Sequence, residues 1–120
     1  MANGSTSLDA NGPTHDAMVE LARGMTESVR ARAGEAEINR RLHRETHEAL
    51  LDSGLYKIQM PSRYGGLEMS HRTMLDCAVE IGRGCGSSAW IFSNIAAQNG
   101  IVSMASRRAQ DDVWAENDEA

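Results

Sequence analysis

The stretch GRGCGSSAW, residues 82–90, places three glycines at alternate positions before two serines, a composition shared with phosphate-binding loops. A Walker loop requires a lysine directly after its last glycine, and none follows Gly86. A dinucleotide-binding fingerprint requires a third glycine where Ser87 stands and a strand before the loop, whereas the preceding segment is helical in pattern. We therefore interpret the stretch as a joint between two helices. In this interpretation Gly82 packs closely, Gly84 ends one helix, and Gly86 and Ser87 begin the next.

His43 and His47 are four residues apart on a predicted helix, which places both rings on one helical face next to Glu48. Zn²⁺ typically takes three or four ligands, and no third ligand is recognisable near this pair. We interpret both as exposed surface histidines and predict no metal site.

Cys85 is a candidate nucleophile in the joint, because a helix N-terminus favours a reactive thiolate. Catalytic cysteines also need a base, and no histidine lies near Cys85 in the sequence. We interpret Cys85 as a small residue at a tight joint and assign no catalytic residue in this chain.

A row of side chains on the helix after the joint recurs at three- and four-residue spacing. The row consists of Trp90, Ser93, Asn94, Ala97 and Ile101, with Gln98 on its edge. Polar groups on an otherwise buried helix need partners, or each costs on the order of 1–3 kcal/mol. Two arrangements are open: Asn94 and Gln98, four residues apart, bond each other, or the row borders a cavity that holds ligand and water.

Composition and charge narrow the class of protein. The net charge of −5 and the interleaving of arginines with glutamates argue against a nucleic-acid partner, which needs clustered Lys and Arg. The most apolar run, residues 89–105, contains too many polar residues to span a membrane. Nothing at the N-terminus resembles a secretory signal, so we expect a reduced, cytoplasmic protein without a membrane partner.

Helical periodicity runs through most of the chain, and no stretch of any length has the alternating pattern of a strand. We predict an all-α bundle of about five helices, one domain over residues 14–116. Residues 1–13 are polar and glycine-rich and are expected to be a disordered tail. Residues 117–120 are expected to be a truncated acidic end.

The first predicted helix begins at the N-cap Thr14, and Gly34 is expected to separate or kink it. The second runs from about Glu35 to Ser53 and stops at Gly54, where a left-handed conformation is needed. The residues predicted to point inward are Met18, Leu21, Ala22, Met25, Val29, Ile38, Leu42, Ala49 and Leu50.

The later elements flank the joint. Residues 55–61 are expected to be extended, since Pro61 disfavours helix just before it, and residues 62–66 are expected to form a turn. A third helix is capped by Ser70; its predicted inward residues are Met74, Leu75, Ala78, Val79 and Gly82. The fourth, from near Ser87 or Ser88 to about Met104, is apolar almost all round and is predicted to be buried. Ser106 caps a short fifth helix that runs through Trp114.

Several elements in a fixed order resemble the N-terminal helical domain of the acyl-CoA dehydrogenase superfamily. They are Gly54-Leu55, Pro61 followed by Tyr64-Gly65-Gly66, a helix that ends at Arg83-Gly84, and then Ser87-Ser88-Ala89-Trp90. The resemblance covers about residues 14–116. Within the superfamily, QMPSRYGG and GSSAW look most like the flavin-dependent hydroxylase branch. Those enzymes take reduced flavin from a separate reductase and use O₂ to oxygenate aromatic or polycyclic substrates.

The resemblance implies a role for the polar row, because the fourth helix of the family lines the substrate side of the active site. The substrate-binding residues implied here are Trp90, Ser93, Asn94, Ala97 and Gln98. Some hydroxylase relatives carry a histidine around the position of Gln98. A glutamine there still exchanges hydrogen bonds but does not titrate near neutral pH.

The resemblance also implies further domains. Family members continue into a β-sheet domain that holds much of the flavin, and then into a C-terminal four-helix bundle that supplies the dehydrogenase base and much of the tetramer contact. We interpret the 120-residue chain as a fragment of such a flavoprotein. The full-length protein is expected to bind FAD or FMN and to form a homo-oligomer, a tetramer; the chain alone is expected neither to bind flavin tightly nor to turn over.

Two other hypotheses stay open at this point. The dehydrogenase branch of the superfamily oxidises an acyl thioester with bound FAD, and a carboxylate base beyond this sequence would support it. Alternatively, the chain is a non-catalytic helical module whose exposed apolar surface binds a partner or a second copy.

Overall fold

The computed structural model describes residues 12–116 and is all-α over this range, as predicted. Its six α-helices are α1 (His15–Arg23), α2 (Thr26–Asn39), α3 (Arg44–Ser53), α4 (His71–Gly82), α5 (Gly86–Ser103) and α6 (Arg107–Trp114). Two short 3₁₀ turns, Leu55–Lys57 and Ser62–Tyr64, lie between α3 and α4. The predicted disordered tail lies outside the described residues as far as residue 11, and so does the predicted acidic end.

Side-chain caps begin three of the helices where the sequence predicts them. The hydroxyl oxygens of Thr14, Ser70 and Ser106 accept hydrogen bonds from backbone N–H groups in the first turns of α1, α4 and α6. Each such cap satisfies one of the donors that a helix N-terminus otherwise leaves open.

The first predicted helix divides at Gly24 and Met25 instead of at Gly34, which lies inside α2 with open space around it. The division brings Thr26 to α4, where its hydroxyl donates to the carbonyl oxygen of Glu80 at 2.9 Å. The break thus falls at one glycine, Gly24, where a tertiary contact accompanies it, and the other glycine, Gly34, is tolerated within α2.

The predicted bounds of the second helix are also wrong, because α2 continues to Asn39 and α3 begins only at Arg44. Arg40 ends α2 in a left-handed conformation with φ of 56°, and its backbone N–H donates to the carbonyls of Ala36 and Glu37. Glycine is the usual residue at such a stop. Because an arginine occupies it here, this boundary was not recognisable in the sequence. The stop at Gly54, with φ of 82°, is confirmed.

Residues 55–61 form tight turns in place of the predicted extended segment. The segment carries four fully or almost fully buried side chains: Leu55, Tyr56, Ile58 and Met60. The chain then folds back on itself, since the N–H of Leu67 donates to Lys57 O and the N–H of Met69 to Ile58 O. The predicted turn over residues 62–66 is confirmed, with Gly65 in a left-handed conformation.

The core lies mainly between α4 and α5, which pack along each other, and α1 covers the other side of α4. Met74, Cys77 and Ile81 of α4 are fully buried and belong to the same cluster as Phe92 and Ala96 of α5. Four residues that were predicted to point inward are instead exposed: Leu21, Ile38, Leu75 and Val79. Ile38, at 81% exposed, lies near the end of α2, where no described element covers its face.

Candidate functional site

The candidate site is the outward face of α5. Its inner face is buried and consists of Ser88, Phe92, Ala96, Asn99 and Gly100. The prediction that α5 is buried all round is wrong, because Trp90 is 69% exposed and Ile101 is 55% exposed. The described helices pack against only one side of α5, so its outer side faces solvent within residues 12–116.

All five sequence-predicted binding residues lie on this outer side, in what we call the outer strip. The outer strip consists of Trp90, Ser93, Asn94, Ala97, Gln98 and Ile101, each of them exposed or half-buried. The helical repeat therefore brings the predicted residues together along one strip.

Two polar side chains of the outer strip bond to their own helix. The hydroxyl of Ser93 and the amide nitrogen of Asn94 both donate to the carbonyl oxygen of Trp90, at 3.0 and 2.9 Å. Asn94 is thus satisfied locally and not by the mutual bond with Gln98 that its spacing also allowed. The amide oxygen of Asn94 and the oxygen lone pairs of Ser93 keep further acceptor capacity at an accessible surface.

Apolar surface is also exposed on α4, at Leu75 and Val79. The two helices approach closely at the joint, since a Cβ built on Gly82 would lie 3.5 Å from the Cβ of Ala89. An exposed apolar surface with a few polar groups is typical of a binding surface.

Asn99 fixes the position of α5 from its buried side. Its amide nitrogen donates to the carbonyl oxygen of Tyr56 at 3.0 Å, and its Oδ1 accepts from the indole N–H of Trp114 at 3.3 Å. One side chain thereby ties α5 to the turn after α3 and to α6. Sequence reasoning did not single out this residue, although the requirement that buried polar groups find partners applies to it.

Gly100, the next residue, is a point of close approach. A Cβ there would lie 2.7 Å from the side-chain nitrogen of Gln59, whose amide oxygen is 3.1 Å from His71 Nδ1. Asn99 and Gly100 together hold the second half of α5, and so the position of Gln98, against the turn segment.

The groups with strongly shifted pKa values lie in the core and not on the outer strip. Burial raises the pKa of Tyr56 to about 12, and its hydroxyl lies 3.0 Å from His47 Nδ1. Burial, together with the nearby negative charges of Asp76 and Glu80, raises the pKa of Cys77 to about 12. The outer strip itself is built of residues that do not titrate near neutral pH, so its side chains bind and orient a ligand instead of transferring protons.

His43 and His47 do not share a helical face. His43 is the N-cap of α3: its Nδ1 accepts from the N–H of Glu45, and its Nε2 lies 2.8 Å from the Glu35 carboxylate. The prediction of a surface position is wrong for His43, whose side chain is 16% exposed, and confirmed for His47. Among residues 12–116, no group of three or more His, Cys, Asp or Glu side chains is placed to hold a metal ion.

The helices of the described range are each too short or too polar to cross a membrane.

The all-α fold with an open α5 face defines a helical domain that matches a known family. The family model described as "Acyl-CoA dehydrogenase, N-terminal domain" matches residues 12–115. The chain therefore belongs to the acyl-CoA dehydrogenase N-terminal domain family, as its motifs predicted.

Several relatives that the chain resembles are oxygenase components of hydroxylases and monooxygenases. The chain is 31% identical over 103 residues to the oxygenase component of p-hydroxyphenylacetate 3-hydroxylase from Acinetobacter baumannii, covering 86% of this chain and 24% of the relative. It is 33% identical over 89 residues to the flavin-dependent monooxygenase oxygenase subunit HsaA from Mycobacterium tuberculosis, covering 74% of this chain and 23% of the relative.

A solved structure has the same fold. The crystal structure of 3-HSA hydroxylase from Rhodococcus sp. RHA1 matches with a TM-score of 0.79 and 27% identity, over 87% of this chain and 27% of that chain. The chain spans about a quarter of the length of the relatives it matches.

Proposed function

We propose that the protein to which this chain belongs is the oxygenase component of a two-component, flavin-dependent hydroxylase. It uses reduced flavin from a separate reductase, together with O₂, to hydroxylate an aromatic substrate. The names of the relatives support this reaction class, since they include hydroxylases of p-hydroxyphenylacetate and of resorcinol. The observation in this chain that carries the proposal is the outer strip of α5, an exposed indole beside amide and hydroxyl groups.

The outer strip forms the substrate-side wall of the active site in this proposal. The exposed ring of Trp90 offers a flat apolar surface to a planar aromatic group, the arrangement in which aromatic rings attract one another. Ser93, Asn94 and Gln98 offer hydrogen-bond donors and acceptors to polar substituents on such a ring. The small side chain of Ala97 leaves room between them.

Flavin fits the same description, because its ring system is planar and its edge is polar. When bound, reduced flavin supplies the electrons that activate O₂. The residues of this chain contribute orientation and exclusion of water, and Gln98 contributes a hydrogen bond but no proton near neutral pH. The family resemblance extends the proposal to a tetramer that works in the cytoplasm.

The test uses the intact protein with chemically reduced FMN and, separately, reduced FAD, in the presence of O₂. The substrates offered are p-hydroxyphenylacetate, resorcinol and indole-3-acetate, the aromatic compounds named for its relatives. We expect at least one product that carries one added oxygen atom from O₂. No oxygenated product from any of them, together with oxidation of an acyl thioester supplied in a separate assay with oxidised FAD, would contradict the proposal in favour of the dehydrogenase branch.

The 120-residue chain alone provides a second measurement. We expect no tight flavin binding in a fluorescence titration, because the outer strip is a single open wall. Sub-micromolar binding by the isolated chain would contradict the role of the outer strip as one wall of a larger site.

A further inference from the structure

A cavity of about 620 Å³ lies beside the glycine-rich joint, apart from the outer strip. One wall is the second half of α2 and the chain that follows it, and the other is the start of α5. The lining residues used below are Arg40, Arg41, Gly86, Ser87, Ser88 and Ile91. None of the six residues of the outer strip lines this cavity, so the two surfaces are separate.

The start of α5 presents hydrogen-bond donors to this cavity. The N-cap residue is Cys85, whose side chain accepts no capping bond. Within residues 12–116, the backbone N–H groups of Gly86, Ser87 and Ser88 donate to no acceptor. Three open amides at the positive end of an 18-residue helix attract an anion.

Ser88 is an independent indication that the cavity is a binding site. It lines the cavity and is only 4% exposed, yet its hydroxyl bonds to no other group in the described part of the chain. A buried hydroxyl without a partner costs on the order of 1–3 kcal/mol, and such groups in proteins are normally satisfied by water, an ion or a ligand.

Charge on the opposite wall has the matching sign. Arg40 and Arg41 line the cavity, and neither forms an ion pair with a carboxylate among residues 12–116. Glu37 lines it too and partly offsets this charge, which leaves one net positive charge from these side chains. The rest of the lining is apolar and includes Ala33, Ala36, Leu42 and Ile91.

We propose that this cavity binds the phosphate group of a small organic phosphate ester. The open amides of α5 and the Ser88 hydroxyl donate to the phosphate oxygens, and the two arginines neutralise its charge. The apolar lining contacts the organic part of the ester. GRGCGSSAW is thus a helix joint, as the sequence predicts, and in addition the anion-binding end of α5.

The experiment records ¹H–¹⁵N correlation spectra of the 120-residue chain during titration with inorganic phosphate, with phenyl phosphate, and with sodium chloride at matched ionic strength. We expect saturable shifts of the Gly86, Ser87 and Ser88 amides with both phosphates, and tighter binding of phenyl phosphate because its ring reaches the apolar lining. Equal affinity for the two would assign the site to free phosphate and overturn the ester. Shifts that do not saturate, or that chloride reproduces, would mean an adventitious ion only and would overturn the proposal.

Variants locate the site. Arg40→Gln combined with Arg41→Gln is expected to weaken phenyl phosphate binding about ten-fold or more. The matched control is Arg108→Gln, which removes an exposed arginine of α6 outside the cavity and is expected to change nothing. Equal effects of the two variants would overturn the assignment. If the double variant does not fold, saturation at the three amides of the unmodified chain decides alone.

Discussion

Asn99 is the residue on which the placement of α5 most depends. Asn99→Ala removes both of its hydrogen bonds and leaves the Tyr56 carbonyl and the Trp114 indole N–H buried without partners. We expect the free energy of unfolding to fall by about 2–4 kcal/mol, measured by urea denaturation. The control is Asn94→Ala on the exposed side of α5, with an expected change of about 0.5 kcal/mol or less. Equal losses in the two variants would contradict the role of Asn99.

The two cysteines differ in how far each is buried. Cys77 is fully buried and its pKa is raised to about 12, whereas Cys85 is half-buried at the joint. We expect iodoacetamide at pH 8 to alkylate Cys77 of the native chain roughly 100-fold more slowly than Cys85, because the buried thiol is both protonated and inaccessible. Peptide mapping by mass spectrometry measures both rates. In urea the two should react alike, and a native Cys77 as fast as Cys85 would show that the core is not packed as described.

At the scale of the elements, the joint between α4 and α5 is fixed by close approach at Gly84. A Cβ at Gly84 would overlap the carbonyl oxygen of Thr26 and lie 3.1 Å from the backbone nitrogen of Arg30. We expect Gly84→Ala to lower the free energy of unfolding by about 2 kcal/mol or more, since neither backbone atom can move away cheaply.

Gly86→Ala is the matched control in the same joint. A Cβ at Gly86 meets no atom within 4 Å, and the residue is the first of α5. Alanine there should leave stability unchanged or raise it by up to about 1 kcal/mol. If thermal or urea unfolding shows that both alanines are tolerated, Gly84 does not set the contact between the joint and α2.

The helix boundaries show how far local sequence signals reach. Thr14, Ser70, Ser106 and Gly54 mark the ends of their helices through bonds or backbone angles that depend on neighbouring residues alone, and these predictions are confirmed. The break after α1 falls at Gly24, and the bond from Thr26 to Glu80 that accompanies it joins residues 54 apart, which the local sequence does not indicate. The stop at Arg40 was missed because an arginine occupies a position where glycine is usual.

At the scale of the whole molecule, local sequence signals also do not determine which face of a helix is buried. The periodicity of α4 places Met74 correctly in the core, but it could not show that Leu75 and Val79 face solvent, because the position of the next layer decides which flank is covered. For α5, an apolar composition all round predicted burial, whereas the described helices cover only its inner face. The outer strip was nevertheless foreseen residue by residue, since spacing alone aligns side chains along a helix. Its role in binding stays a prediction.

The measurement that tests the central claim most directly compares Trp90→Ala with Arg108→Gln in the intact protein. Each is supplied with reduced flavin, O₂ and the aromatic substrate that the unmodified protein hydroxylates. Hydroxylated product and oxidised flavin are both quantified, and circular dichroism verifies folding. If the outer strip is the substrate-side wall, Trp90→Ala should reduce product per flavin oxidised by about ten-fold or more, while Arg108→Gln leaves it unchanged. A folded Trp90→Ala protein that hydroxylates as efficiently as the unmodified one would contradict the claim.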